Sequence, residues 1–388
     1  MKKLDFSNQV PGQVIKTLNG YLAFVPAPLP PDMKWSDELL SALSKADRSL
    51  VRLAEVGNSF PVPHVVVRPF IRKEAVFSSL IEGTRTSFQQ LLSYEAGQMS
   101  LFGDMEDTKE VHNYVRALDY GLERLETLPL SIRLIREIHA ILMKGVRGES
   151  MTPGEVRRSQ NWIGRPGETL KQARYVPPPP NEMHNCLSDL EGFIHADSEL
   201  PPLLRIGMIH YQFESIHPFL DGNGRVGRLM ITFLLVAWEL LSQPLLCLSN
   251  FIETNRQEYY DRLLAVSQKG DWEAWLLFFL DGVHSQADDA IKRIVSLEKL
   301  RNTYSEQFAQ DRSRSKLEVL VDYLISSPIT SITQAQKSLN IGSFNAIKRN
   351  IDKLEALGIV HEVTGNKRNR LYYADEILKI LEDRRKTF

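Results

Sequence analysis

The chain has 388 residues, 43% of them hydrophobic and 24% charged, a balance that fills two or three cored domains and excludes a fibrous or disordered chain. Its 47 basic and 48 acidic residues leave a formal charge of -1, which removes any whole-chain electrostatic argument for nucleic acid or an anionic membrane as partner.

The first ten residues, "MKKLDFSNQV", lack the apolar run of a secretory signal, so a cytoplasmic location is expected. "VPAPLPPDMKW" then reads as irregular, proline-rich chain. From Ser36 onward, apolar residues recur at helical spacing in "SDELLSALSKADRSLVRLAEV". The same period predicts helices through "RPFIRKEAVFSSLIEGT", stopping at Gly83, and then through "DTKEVHNYVRALDYGLERL" and "IRLIREIHAILMKGV". Residues 158–180, "RSQNWIGRPGETLKQARYVPPPP", read as a surface hairpin, two short extended runs about a glycine-containing turn that end in four prolines. "VGRLMITFLLVAWELL" is apolar on nearly every face, as a helix at the centre of a bundle must be. The longest apolar run, Leu229 to Trp238, is too short to span a bilayer, so no membrane partner is expected.

Two further helices follow in "RQEYYDRLLAVSQ" and "WEAWLLFFLDGVHSQADDAIKRIVSLEKLR", and "AQDRSRSK", near residue 310, reads as a linker or an exposed helix end. These shifts divide the chain into a helical region over 1–105, a second domain over 106–305 and a third over 312–388. The third carries three short helical patterns and then "IVHEVTGNKRNRLYYA", two strands around a Gly-Asn turn, the order of a winged helix-turn-helix. Its third helix bears Lys348, Arg349 and Lys353, so this end is read as docking either DNA or a protein, a second copy of the chain included. Cys186 and Cys247 stand far apart in helical and apolar surroundings, which fits a reducing compartment without a disulfide.

The densest chemistry lies in "SIHPFLDGNGRVGR", residues 215–228. Gly222 and Gly224 flank Asn223 where a loop becomes a helix, so backbone N–H groups can face an anion at the positive end of the helix dipole. Arg225 and Arg228, three apart, share one face of the first turn and suit the oxygens of a polyphosphate. Asp221 is placed to hold Mg²⁺, which prefers a carboxylate plus phosphate oxygens. His217, four residues earlier, has the imidazole to take a proton from an incoming hydroxyl. Pro218 stiffens the loop and Phe219 anchors it. Any one of these features is commonplace, but their concentration within fourteen residues argues for a site.

"HPFLDGNGRVGR" matches in full the pattern His-x-Phe-x-(Asp/Glu)-Gly-Asn-Gly-Arg-x-x-Arg of Fic-domain proteins. The resemblance implies a mainly α fold, a Fic-type helical bundle with a small β-hairpin flap, followed here by the C-terminal winged-helix domain. It also implies transfer of AMP from ATP, with Mg²⁺, to a Tyr, Thr or Ser hydroxyl of a target protein, the chain itself included. His217 would be the general base and Asp221 the metal ligand. Asn223 with the backbone of Gly222 and Gly224 would hold the α- and β-phosphates, and Arg225 and Arg228 the β- and γ-phosphates. Upstream, "SSLIEG" is similar to the family's inhibitory pattern, Ser/Thr-x-x-x-Glu-Gly/Asn, with Ser78, Glu82 and Gly83 in place. That likeness implies a glutamate, Glu82, that pairs with Arg228 and obstructs the γ-phosphate. "ETLKQARYVPPPP" falls where relatives place a flap that holds the target segment by strand addition, and Tyr260 falls in the region that lines their adenine pocket. Removal of AMP from a modified protein, another nucleotide-dependent transfer on the same fold, and an ATP-sensing DNA-binding regulator stand as alternatives.

Overall fold

Hydrophobic periodicity becomes a largely helical chain in the computed structural model, which describes residues 6, 10–17, 19–97, 105–164, 169–340, 343–365 and 369–382. Strands β1 (Gly12–Lys16) and β2 (Leu22–Pro26) precede helices α1 (Asp37–Ser59), α2 (Pro63–Ile81), α3 (Phe88–Glu95), α4 (Met105–Leu125) and α5 (Ile132–Leu142). Next come α6 (Pro180–His195), α7 (Pro202–Ile216), α8 (Asn223–Ala237), α9 (Leu248–Thr254), α10 (Arg256–Lys269) and the long α11 (Trp272–Gln307). The chain ends through α12 (Arg314–Ser326), β3 (Ile329–Ser331), α13 (Ile332–Leu339), α14 (Phe344–Ala356), β4 (His361–Glu362), β5 (Leu371–Tyr373) and α15 (Asp375–Glu382). No helix among the described residues is long and apolar enough to cross a membrane. Both cysteines are buried free thiols.

The chain folds into two compact units that interleave in sequence: 1–51 with 113–242 and 248–286, and 52–112 with 243–247 and 287–388. Composition alone suggests only consecutive segments, because chain returns of this kind leave no compositional mark.

In the first unit α8 is the central element, buried from Arg225 through Leu235, with α7 and α5 packed against it. Local chemistry sets its neighbours' ends. The Ser131 hydroxyl accepts from the Leu134 N–H to cap α5, and Pro201 and Pro202 open α7 where a proline costs no helical hydrogen bond. The opening segment is not irregular throughout, since β1 and β2 form an antiparallel hairpin in register from Gly12↔Pro26 to Lys16↔Leu22. Tertiary contacts hold it: Phe24 is fully buried and its N–H donates to the Val176 carbonyl at 2.9 Å, a partner no local pattern reveals.

The expected surface hairpin over 158–180 also changes. Its pairing contracts to one bridge, Ile163↔Tyr175, and the turn residues 165–168 lie outside the described residues. Its second limb is core, with Ala173, Tyr175 and Val176 buried and the Tyr175 hydroxyl donating to the Ser215 carbonyl at 2.9 Å. Alternation of small, aromatic and branched residues was too brief there to distinguish a buried limb from a surface loop.

In the second unit, α2 packs on α12, and Arg72 pairs with Glu95 at 2.5 Å between α2 and α3. The C-terminal segment follows the expected helix order and adds a strand before α13, giving an antiparallel sheet in the order β3-β5-β4. Residues 341–342 of the expected "NIGS" turn and 366–368 of the expected Gly-Asn turn fall outside the described residues. Of the three basic residues on α14, Lys348 pairs with Asp352 and Lys353 with Asp311, each at 2.7 Å.

Two glycines offer opposite tests of this packing. A Cβ on Gly121 of α4 would come within 2.2 Å of the Phe233 ring, itself buried in α8, whereas one on Gly192 of α6 would meet nothing within 4 Å. Alanine gains up to about 1 kcal/mol of helix propensity at either place, but overpacking costs about 1–3 kcal/mol. Gly121→Ala should therefore lower, and Gly192→Ala raise, the urea midpoint of unfolding.

Candidate functional site

The site begins with two left-handed residues that bracket a loop. His217 caps the C-terminus of α7 with φ 50° and ψ 62°, its N–H donating to the Phe213 carbonyl, and Gly222 precedes α8 with φ 78°. Glycine takes this conformation without steric cost, but a histidine there stores about 1–3 kcal/mol of backbone strain, which surrounding contacts must hold. The Asn223 side chain closes the loop, accepting from the Phe219 N–H at 2.8 Å and donating to the Phe219 carbonyl at 2.9 Å. Its amide is thereby committed to backbone, so Asn223 can offer an anion its own backbone N–H rather than its side chain. By helix geometry the first N–H groups of α8 have no intrahelical acceptor, and the N-cap, Gly222, has no side chain to cap them.

The Nδ1 of His217 lies 3.3 Å from the Glu214 carbonyl. A carbonyl only accepts, so this contact assigns the proton to Nδ1 and leaves Nε2 as the basic nitrogen of the neutral ring. Asp221 is anchored by accepting from the Gly222 N–H at 2.6 Å and lies 3.7 Å from the Arg225 guanidinium, with its side chain 42% exposed. The structure thus brings His217, Asp221, the α8 N-terminus, Arg225 and Arg228 onto one loop-helix junction. Arg225 and Arg228 are each only 2% exposed, and the Arg225 guanidinium touches the Met143 sulfur at 3.6 Å. Tyr260 is half-buried on α10 under Arg256, whose guanidinium carbon sits 5.9 Å from the ring centre. Its neighbour Tyr259 is the buried partner of His210. Ser78 is fully buried in α2, and Glu82 is the C-cap of that helix.

A divalent cation fits the donor set in one respect that the geometry displays. Asp221 presents a single, half-exposed carboxylate held by its neighbour's N–H, and the described residues contain no cluster of three candidate ligands. Mg²⁺ bound mainly through substrate phosphates needs no more than one such carboxylate.

Three supporting residues escape sequence reasoning. His139 of α5 is fully buried and stacks on Phe219, ring centres 3.9 Å apart and planes 7° apart. The Gly154 N–H donates to its Nδ1 at 2.8 Å, so Nε2 carries the proton and donates to the Asp221 carbonyl at 3.0 Å. Burial lowers its pKa to about 4, which keeps this tautomer neutral. Arg157 and Asn161 hold the loop from the other side: the Arg157 Nε donates to the His217 carbonyl at 3.0 Å, and the Asn161 amide donates to the carbonyls of His217 and Phe219 at 3.2 and 2.8 Å.

The central helix thus presents its N-terminus, two buried guanidiniums, a carboxylate and an imidazole at one junction, an arrangement whose chemistry suits a phosphate-bearing ligand. Comparison with known proteins names the class. Residues 40–123 match the model described as Fic/DOC family N-terminal and residues 129–235 the model described as Fic/DOC family, so the chain carries a Fic/DOC-type region over these residues. It is 26% identical over 261 residues to Protein adenylyltransferase Fic of Drosophila persimilis, covering 62% of this chain and 47% of that protein. With the protein of the same name from Culex quinquefasciatus it shares 29% identity over 209 residues, covering 52% and 38%. The chain therefore spans about half the length, or less, of these curated relatives. Its fold is similar to a Fic family protein from Desulfovibrio desulfuricans G20, with TM-score 0.58 and 19% identity over 89% of this chain and 98% of that one. A Fic domain containing signaling protein from Bacteroides thetaiotaomicron aligns with TM-score 0.51 and 19% identity, covering 65% and 97%.

Beneath the junction, His210 ties α7 to α8 and α10. Its Nδ1–H donates to the Gly227 carbonyl at 3.1 Å, and its Nε2 accepts from the Tyr259 hydroxyl at 2.7 Å. Burial depresses its pKa to about 3. The unfolded chain, with a histidine pKa near 6.5, then binds this proton first, so the contribution is complete above about pH 6.5 and is lost as pH falls toward 3. Urea midpoints measured between pH 7 and pH 4 should fall for the parent, and His210→Gln should flatten that dependence by about one proton.

Proposed function

We propose that this chain transfers AMP from ATP to the hydroxyl of a Tyr, Thr or Ser side chain on a target protein, itself included, under restraint by Glu82. The observation that carries the reading is the junction of α7 and α8, where a tautomerically assigned imidazole stands beside a helix N-terminus with a glycine N-cap and two buried arginines. The adenylyltransferase names of its relatives support the same class of reaction.

In this mechanism the hydroxyl oxygen attacks the α-phosphorus, the bond to the β-phosphate oxygen breaks, and pyrophosphate leaves. His217 Nε2 takes the hydroxyl proton as the new P–O bond forms. The first N–H groups of α8, with Arg225 and Arg228, hold the phosphates and stabilise charge on the leaving group. Asp221 would hold Mg²⁺, which supplies charge neutralisation along the phosphates when bound. Because the protein offers positioning and charge rather than a covalent intermediate, in-line placement of the hydroxyl supplies much of the rate. Glu82 serves as the brake through the Ser78-to-Gly83 pattern, its carboxylate competing with the γ-phosphate for Arg228. The C-terminal unit's basic helix has Lys348 and Lys353 committed to Asp352 and Asp311, which favours protein docking over DNA for that end.

Transfer of α-phosphate label from ATP, with Mg²⁺, to the protein itself and to a lysate tests the reading. Glu82→Gly should label strongly relative to the parent, and adding His217→Ala should reduce the rate about 10²- to 10⁴-fold, the range for loss of a general base. Label donated only from the γ-phosphate would sink it.

A further inference from the structure

Four consecutive carbonyls surround the left-handed turn at His217, and two residues distant in sequence, Arg157 and Asn161, gather them. The Arg157 guanidinium donates to the carbonyl of Ile216 through Nη2 at 3.4 Å and to that of His217 through Nε at 3.0 Å, while the Arg157 backbone N–H donates to Pro218 at 2.8 Å. Asn161 reaches His217 again and then Phe219. The same guanidinium also donates to the carbonyls of Pro178 and Ser159, so a single planar group ties the catalytic loop to both limbs of the segment bridged at Ile163↔Tyr175. Arg157 is 1% exposed. Burial lowers its pKa only to about 10, so it stays charged near neutrality and every N–H in its fork remains a donor.

We infer that Arg157, assisted by Asn161, is a positioning residue for the transfer reaction: it fixes the backbone turn at His217 and thereby aims the imidazole Nε2 at the incoming hydroxyl. The inference rests on His217 being the general base. A packing role alone would place such a residue under any part of the core. Here its donors fall on the peptide units immediately before, at and after the one strained residue in the loop, so the angle of the ring depends on them. Lysine keeps the charge but has a single nitrogen, which cannot serve Ile216, His217, Ser159 and Pro178 from one plane. Asn161→Asp keeps the shape but turns a carboxylate oxygen toward two carbonyls that need a donor.

Arg157→Lys and Asn161→Asp are made in the Glu82→Gly background and read three ways: steady-state transfer of α-label, thermal melting, and the ring signal of His217 in protein carrying carbon-labelled histidine. Among the nine histidines of the chain, that signal is assigned by its loss in His217→Ala. Arg157→Lys should lower kcat about 10- to 100-fold with KM for ATP within about twofold, because misplacement of about 1 Å costs that much while the phosphate contacts persist. The His217 signal should move, and the melting temperature should fall because lysine leaves buried carbonyls without donors, while ATP affinity holds. A kcat and a ring signal equal to the parent's would overturn the inference, as would equal proportional losses in kcat and ATP affinity, which mark a general loosening of the fold. If Arg157→Lys does not fold, Asn161→Asp decides by the same readouts. Should even Glu82→Gly transfer no label while the ring signal still moves in Arg157→Lys, the positioning role stands and the adenylyl-transfer reading falls.

Discussion

The loop from His217 to Gly222 cannot satisfy its own backbone, and much of the first unit is arranged to do so. Two left-handed residues reverse the chain between α7 and α8 within six positions, too short a span for any regular hydrogen-bond pattern. Its carbonyls are therefore met by side chains from three directions: Arg157 and Asn161 from the segment before the bridge, His139 from α5, and Asn223 from the first turn of α8. Buried polar groups are tolerated when hydrogen-bonded and costly when not, so these contacts fix the loop as firmly as apolar packing would. Phe219, sandwiched on His139, adds the apolar component.

The electrostatics of the same junction run against the usual preference. Cations are disfavoured in the first turn of a helix by about 0.3–1 kcal/mol, yet α8 carries Arg225 in its first turn and Arg228 in the next, both buried. His139 and His210 are held neutral beside them, each with a pKa lowered first by burial and further by a neighbouring arginine. Asp221, half-exposed and 3.7 Å from Arg225, offsets only part of that charge. Where a local rule is broken in a well-packed element, function is the usual reason, and a polyphosphate would reverse the sign of both effects at once.

The helices and the junction were legible because both depend on neighbours within a few residues: periodicity for α1, α2, α4, α5 and α8, and contiguous residue types for 217–228. What decides the rest acts at long range. Nothing in "VRRSQN" distinguishes Arg157 from Arg158, although one is buried against five carbonyls and the other pairs with Glu155 at the surface. His139 reads as one more residue of an amphipathic helix. The opening hairpin forms because Phe24 finds Val176, more than a hundred residues away, and the basic face read on α14 is largely cancelled by Asp352 and by Asp311, which precedes α12. Asn223 shows the limit in the other direction: its position was evident, but its side chain is committed to the loop, bonded to both backbone groups of Phe219.

Glu82 follows the same logic as the arginines with the sign reversed. It is the C-cap of α2, which has no basic residue in its last turn, so its carboxylate sits at the negative end of a helix dipole where a cation is preferred. The left-handed Gly83, φ 99°, ends the helix there, and Ser78, one turn earlier, is fully buried. An acidic helix end of this kind gains most from a cationic partner and tolerates losing it to a competing anion. The restraint proposed for Glu82 would use that balance: strong enough to compete with a phosphate, yet displaceable because the helix that carries it gains little from the carboxylate itself.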